Sequence, residues 1–181
     1  DELAARPEVQ SGRHPWFSLS RYASEYWHEF LEPKLIYIHT AKYHQFYFDE
    51  EKRFINNSCY CIISDCKFLF FFLNSLLFDW FKRIKFVAYG DADEAGRVKL
   101  DSNKMITVPI RQIPEKQPKW FEKQYATIKS NLANAGKVKT LENEAETMLF
   151  KIYDLAYSEV KTVYPGFWLN EQEYKNFKMD K

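Results

Sequence analysis

Two clusters of basic and polar side chains are the residues of this sequence best suited to bind an anion. The first is a single turn formed by Lys42, Tyr43, His44 and Gln45. The second flanks a later acidic loop and contains Lys82, Arg83, Lys85, Arg97, Lys99 and Lys104. Arginine and lysine pair with guanine edges, glutamine pairs with adenine edges, and other cations hold phosphates. The pattern predicts contacts to nucleic acid, with Arg97 and Gln45 as base readers and the lysines on phosphates.

Charge is distributed unevenly along the 181 residues, although the net charge is only +1. Residues 34–139 carry 18 Lys and Arg against 11 Asp and Glu, whereas the flanks carry 8 against 14. A basic middle between acidic ends indicates an anionic partner, most simply nucleic acid. Charge alone leaves a plainer alternative open, in which the clusters are a solvated hairpin tip and an edge strand that lysines protect from pairing.

The residue patterns give little support for a phosphate-binding loop, a metalloprotease or a zinc site. The sequence has only five glycines and no glycine-rich loop for phosphate, and its four histidines show no metalloprotease spacing. Its three cysteines lack a fourth zinc ligand at a usual spacing. They are predicted to be free thiols, as in a reducing cytoplasm. Asp91 and Asp93 could hold a divalent cation, with a plain solvated loop as the alternative.

The stretch CKFLFFFLNSLLFDWFK, residues 66–82, predicts the element around which the chain folds. Read as one helix, its apolar residues cover nearly the whole circumference, which is typical of a helix buried on all sides. It is too short for a membrane span, which needs about 20 apolar residues, and polar residues interrupt it. We therefore expect the buried helix of a domain that does not enter a membrane.

Shorter patterns predict the elements that cover this helix. A helix capped by Ser20 is expected over 21–31, followed by a buried strand over 34–38. Residues 46–48 and 53–63 are expected to pair as a hairpin, and 83–89 to form a further strand. The last part of this region should be extended over 97–100 and 105–110.

After Pro114 the spacing of apolar residues becomes helical. One helix is expected from Pro118 to a stop at Gly136. A second, capped by Thr140, carries an apolar stripe over 141–155, and a third covers 171–178. The predicted fold is thus α/β (α+β), with a small mixed or antiparallel sheet packed on the buried helix, followed by a C-terminal helical hairpin. The predicted divisions are a tether or cut edge (1–15), a recognition domain (16–115) and a helical region (116–181).

Four blocks, in this order, resemble the TaqI-like C-terminal specificity domain. They are EPKLIY at 32–37, FYFDEEKRFINNSCYCII at 46–63, FLNSLLFDWFKRI at 72–84 and VPIRQIP at 108–114. The stretch ENEAETMLFKIYDLAYSEVKTVYPGFWLNEQEY, residues 142–174, resembles the tail of that family, so that the resemblance covers 16–178. The sequence departs from the family pattern at Ile38-His39, at Thr147 and in the acidic loop 86–96, which varies with the DNA target.

The resemblance implies sequence-specific recognition of double-stranded DNA by the C-terminal part of a type IIG restriction-modification enzyme. It implies a parent polypeptide with an endonuclease and an adenine-N6 methyltransferase domain that uses S-adenosylmethionine, with Mg²⁺ for cleavage. The methyltransferase domain would be a partner of this chain across the duplex while the target base is flipped. The chain itself has no motif for the flipped adenine, for the cofactor or for the nuclease centre, so no cofactor is expected in it.

Two alternatives to DNA recognition are distinguishable. In the first, the helical hairpin docks onto a protein partner through the stripe at 141–155, which would then form an exposed apolar patch. In the second, the chain is a nuclease that uses Asp91 and Asp93 and cleaves DNA in the presence of a metal ion. Both would leave the basic clusters without a role in sequence recognition.

Overall fold

The computed structural model describes residues 2, 4–13, 15, 26–43, 45–86, 88–89, 96–114 and 116–178. A short helix, α1 (Pro7–Gln10), opens the chain. The helix expected over 21–31 is described only from Tyr26, where Trp27–Leu31 form a 3-10 helix instead of an α-helix. The rest of that predicted helix, with its cap at residue 20, lies outside the described residues.

The first sheet has three antiparallel strands, with β1 (Lys34–Ile38) in the centre. After β1 and the two-residue β2 (Thr40–Ala41) come β3 (Phe46–Asp49) and β4 (Cys59–Ile63), and these flank β1 on its two sides. The predicted hairpin between 46–48 and 53–63 is therefore wrong, because β1 lies between its two strands. β1 takes the central position, where both of its edges are paired and Leu35 is fully buried.

A second, smaller sheet is built from β2, β5 (Ala88–Tyr89) and β6 (Arg97–Lys99), with β6 in the centre. His39 lies between β1 and β2 and connects the two sheets. Its backbone N–H donates to the carbonyl of Ser58 (3.0 Å), and its carbonyl accepts from the N–H of Leu100 (2.9 Å). The chain thus passes from the first sheet to the second with its backbone hydrogen bonds satisfied.

The predicted central helix over 66–82 is two helices, α2 (Lys67–Leu73) and α3 (Leu76–Lys85). The break falls at Asn74-Ser75, where the Ser75 hydroxyl accepts from the N–H of Phe78 (3.1 Å) and caps α3. Phe72 and Phe78 lie in the core, as the apolar pattern predicts, but one face of α3 is exposed at Trp80 and Ile84. The element is therefore central without being buried on all sides.

The segment after the second sheet also differs from the prediction. Residues 102–105 form a short helix, α4 (Ser102–Met105), and no strand forms between Met105 and Ile110. The Asp101 carboxylate accepts from the N–H of Lys104 (3.1 Å), which starts the helix directly after β6. A side chain that caps a helix at this point competes with a continued strand.

The remaining chain is helical, with α5 (Lys116–Ser130), α6 (Ala135–Ile152), α7 (Tyr157–Val163) and α8 (Glu171–Asn176). The predicted helical hairpin is present, but Gly136 lies in the first turn of α6 and does not end α5. Asn134 caps α6 by accepting from the N–H of Lys137 (3.0 Å), so Thr140 is not the cap. The apolar stripe of α6 is buried in the core of the chain itself.

One hydrophobic core contains residues of both the sheet-bearing and the helical part. The rings of Phe68 on α2 and Phe121 on α5 lie 5.3 Å apart within it. At the surface, Glu50 bridges the same two helices through Lys67 (3.1 Å) and Lys129 (2.7 Å). The α+β class, with an antiparallel sheet packed on the central helices and helices to follow, is confirmed. Within the described ranges, no helix has the length and apolar composition that a bilayer span requires.

Candidate nucleic-acid interface

The second sheet brings the turn of the first predicted basic cluster next to two residues of the second, Arg97 and Lys99. In its register Thr40 lies opposite Lys99 and Ala41 lies opposite Val98. Lys42 follows β2 directly, at the end of the sheet where Arg97 begins β6. The turn 42–45 and the strand 97–99 are more than 50 residues apart in sequence, yet they lie side by side in the fold.

Alternation along β6 places two of the predicted cations on one face. Val98 is 5% exposed and belongs to the core, so Arg97 and Lys99 lie on the opposite, outer face. Thr40, directly opposite Lys99, shares that face and is exposed. We use the name basic edge for four residues of the edge strand β2, the turn that follows it and the central strand β6: Thr40, Lys42, Arg97 and Lys99. Thr40 was not among the predicted site residues, because only the strand register shows its place.

The turn between β2 and β3 projects from this basic edge. The Tyr43 ring is 69% exposed, and the Nζ of Lys42 lies 5.7 Å from the ring centroid. Gln45 is exposed as well, whereas His44 lies outside the described residues. An exposed aromatic ring beside a cation suits stacking on a base or packing against a sugar, with the ammonium group near the phosphate.

Lys104 and Lys99 are connected through the backbone. The Nζ of half-buried Lys104 donates to the carbonyl of Lys99 (2.9 Å) and lies 5.9 Å from the ring centroid of Phe86. Lys104 therefore fastens the end of β6 to α4, and its charge is held beneath the basic edge. A direct phosphate contact by Lys104 would require that hydrogen bond to be exchanged.

Sequence comparison identifies the family to which this arrangement belongs. Residues 8–110, more than half of the chain, match the TaqI-like C-terminal specificity domain. The chain belongs to this family. The matched span contains both sheets, the central helices and every residue of the basic edge.

Membership of the TaqI-like specificity domain family associates the chain with DNA sequence recognition in restriction-modification systems. The match ends at residue 110, before α5, so the likeness of residues 142–174 to the tail of the family remains a resemblance. No curated protein matches the chain.

One predicted DNA contact of this specificity domain is buried. Lys82 is only 2% exposed, and its Nζ lies 2.5 Å from a carboxylate oxygen of Asp79, one turn earlier on α3. Its ammonium group is buried against Asp79, which makes Lys82 the least accessible of the three predicted cations on α3. Arg83 shares the second oxygen of Asp79 (2.7 Å) but is largely exposed, and Lys85 is exposed at the end of the helix.

A cleft of about 960 Å³ separates the turn of the specificity domain from its helical region. Tyr43 and Gln45 line one wall, and residues of α6 and of the α7–α8 connection, including Glu146 and Trp168, line the other. Asn74 lies between the two walls, at the break between α2 and α3. The turn thus has open space on the side away from the basic edge.

Proposed function

We propose that the chain is the sequence-specific DNA-recognition part of a type IIG restriction-modification enzyme that acts in the cytoplasm. In this proposal the parent polypeptide methylates adenine at N6 with S-adenosylmethionine and cleaves DNA with Mg²⁺, both bound outside this chain. The methyltransferase domain is then the intramolecular partner that acts on the duplex. The observation that supports a DNA-reading role is the basic edge: β2 and β6 place Thr40, Arg97 and Lys99 on one face, and the turn that carries the other predicted cluster follows β2 directly.

The proposal assigns different roles to the residues of this surface. Arg97 is the candidate base reader of the edge, because a guanidinium group pairs with guanine through two donors. Gln45, at the end of the turn, is the candidate reader of adenine. Lys42 and Lys99, with Lys85 at the end of α3, are assigned to phosphates, which position the duplex without reading its sequence.

Replacing Lys99 with methionine is expected to weaken binding of target and scrambled duplexes alike. Removing one phosphate contact should flatten the slope of log K against log salt concentration by about one unit. The measurement is a salt series of binding constants for the full-length protein. Lys123→Met, which removes an exposed lysine from α5, is the matched control and should leave the slope unchanged. The same slope change in both variants would contradict the placement of DNA at the basic edge.

Replacing Arg97 with alanine is expected to act on the target alone. Loss of a bidentate base contact should cost about 1–3 kcal/mol of target affinity, while the affinity for a scrambled duplex changes much less. Competition binding between the two duplexes measures this difference directly. Equal weakening of both duplexes would assign Arg97 to the phosphates instead.

Mapping of modified bases tests the finer part of the proposal. Genomic DNA from cells with the intact gene should carry N6-methyladenine within one short motif, and DNA from cells without the gene should lack it. This motif also supplies the target duplex for the binding experiments. Methylation on cytosine, or no difference between the two genomes, would contradict the assignment to an adenine-specific enzyme.

The alternative of a protein-docking helical hairpin loses its main support in the structure. It requires an exposed apolar patch along the stripe of α6, but Ala145, Met148, Leu149 and Ile152 are at most 5% exposed. The nuclease alternative rests on Asp91 and Asp93, which lie outside the described residues.

A further inference from the structure

The break between α2 and α3 holds the start of β3 through one side chain. The Oδ1 of Asn74 accepts from the N–H of Phe46 (2.9 Å), and its Nδ2 donates to the carbonyl of Phe46 (3.0 Å). Nδ2 also donates to the carbonyl of Phe70 on α2 (3.0 Å). A carboxamide carries a donor and an acceptor in one plane, so it can bind both backbone groups of one residue, as a neighbouring strand does.

This contact completes the pairing of an edge strand at its first residue. Phe46 lies opposite Tyr37 of β1, and both of its backbone groups bind Asn74. The Phe46 ring is 3% exposed and lies 4.9 Å from the ring of Tyr37 and 5.7 Å from that of Phe78. Backbone and side chain of Phe46 are therefore both fixed, by different elements.

The turn that carries Tyr43 and Gln45 connects two residues whose positions are fixed, Ala41 and Phe46. On one side β2 ends at Ala41, which is paired with Val98 of β6. On the other side β3 begins at Phe46, which Asn74 holds. Only four residues connect these points, so the position of Phe46 restricts the positions available to the turn.

The helical region holds the other end of the same break. The carboxylate of Glu146 on α6 accepts from the N–H of Leu76 (2.9 Å), the first residue of α3 and the second after Asn74. Asn74 is thereby placed by both helices of the central element and by α6. The Asn74 amide thus adds a backbone link between the first residue of β3 and the central helices to the ring packing and strand pairing of Phe46.

We propose that Asn74 is a positioning residue for DNA sequence discrimination, which sets the height and direction of the turn 42–45 over the duplex. The inference depends on the proposed function, since it assigns to the turn a share of base readout. It concerns the base readers of the turn, because Thr40, Arg97 and Lys99 of the basic edge lie on paired strands and only Lys42 lies in the turn itself.

The test uses the full-length protein with Asn74→Ala, and with Asn74→Asp as a second variant that keeps only the acceptor. Asn74 is exposed, so neither substitution opens a cavity, and both variants should melt within a few degrees of the wild type. In Asn74→Ala the ratio of scrambled-duplex to target-duplex Kd should fall about three- to tenfold, and the salt slope should change by no more than about one unit, the contribution of the phosphate contact of Lys42. Asn74→Asp keeps the acceptor for the N–H of Phe46 but turns an oxygen toward the carbonyls of Phe46 and Phe70, so its discrimination should fall at least as far as that of Asn74→Ala.

Asn131→Ala is the matched control. The Asn131 amide donates to Thr127 (2.7 Å) and to Ser130 (3.0 Å) at the end of α5, so its loss costs comparable hydrogen bonds away from the turn. Discrimination in this variant should stay within about twofold of the wild type. A wild-type protein that does not discriminate between duplexes would overturn the proposed function itself. If the wild type discriminates and both Asn74→Ala and Asn74→Asp discriminate as well as the wild type, only the role of Asn74 is overturned.

Discussion

Replacement of Asp49 by alanine is expected to lower the free energy of unfolding by about 3–5 kcal/mol. Asp49 and Lys34 are both fully buried, with carboxylate and Nζ 2.5 Å apart, where β3 and β1 meet. The carboxylate also accepts from the N–H of Arg53 (2.9 Å) and from that of Glu51 (3.2 Å). Removing it leaves the lysine charge without its carboxylate partner in the interior and frees the turn after β3.

Denaturant unfolding of the variant measures this loss. Glu171→Ala is the control, because Glu171 pairs at 2.7 Å with Lys175 on the exposed surface of α8. Exposed pairs contribute at most about 1 kcal/mol, so this variant should unfold close to the wild type. Similar losses in both variants would contradict the view that the buried pair joins the central strand to its neighbour.

Asp49 should also make the free energy of unfolding fall at low pH. Burial by itself raises the pKa of Asp49, but the hydrogen bonds from Lys34 and from the backbone of Arg53 and Glu51 outweigh it and lower the pKa below its usual value. A carboxyl group with a lowered pKa stabilises the fold above its unfolded value of about 3.8. That contribution is lost as the pH falls through the folded value.

The second large effect is a loss of stability as the pH rises, opposite to that of Asp49, and it depends on Glu146. Burial, only partly offset by the N–H of Leu76 and the charge of Lys139, raises the pKa of Glu146 to about 8. Its second oxygen is buried and has no hydrogen-bond partner among the described residues. The contribution of this carboxyl to stability is fully present below its unfolded pKa of about 4.5 and is lost as the pH rises through 8.

Glu146→Gln should therefore flatten the pH dependence of stability. Glutamine keeps an acceptor for the N–H of Leu76 but cannot ionise, so the loss between pH 5 and 8, at most about 1.4 kcal/mol per pH unit for one proton, should disappear. Unfolding free energies measured at several pH values in this interval give both slopes. Glu122→Gln, at an exposed position of α5, should keep the wild-type slope. Equal slopes for wild type and Glu146→Gln would show that the pKa of this carboxyl is not raised in the folded protein.

The sequence alone predicts which residues of α2 and of α6 are buried. The apolar run at 68–73 lies in the core because it has no polar residue to face solvent, and the stripe of α6 lies there because its helical spacing determines which face is buried. The end of α5 was misplaced, although Asn134, a good N-cap two residues before Gly136, was visible in the sequence. A glycine often ends a helix, but here the hydrogen bond from Lys137 to the Asn134 side chain starts α6 one residue before Gly136.

Features that depend on pairing over long distances could not be predicted in this way. The basic edge requires Ala41 to lie opposite Val98, and no local pattern relates residues so far apart. The first sheet was predicted with neighbouring strands paired, whereas β1 separates β3 from β4. Lys82 is an intermediate case, because the spacing to Asp79 favours an ion pair on the helix, but only the packing of α3 shows that this lysine is buried.

Selection of duplexes from a random pool by the full-length protein tests the central claim most directly. With the wild-type protein, sequencing of the bound fraction should show one enriched motif. With Arg97→Ala, the same motif should appear with the base preference lost at one position. A pool without any enriched motif, or an identical motif for both proteins, would contradict the account that the paired strands β2 and β6 carry a sequence-reading surface.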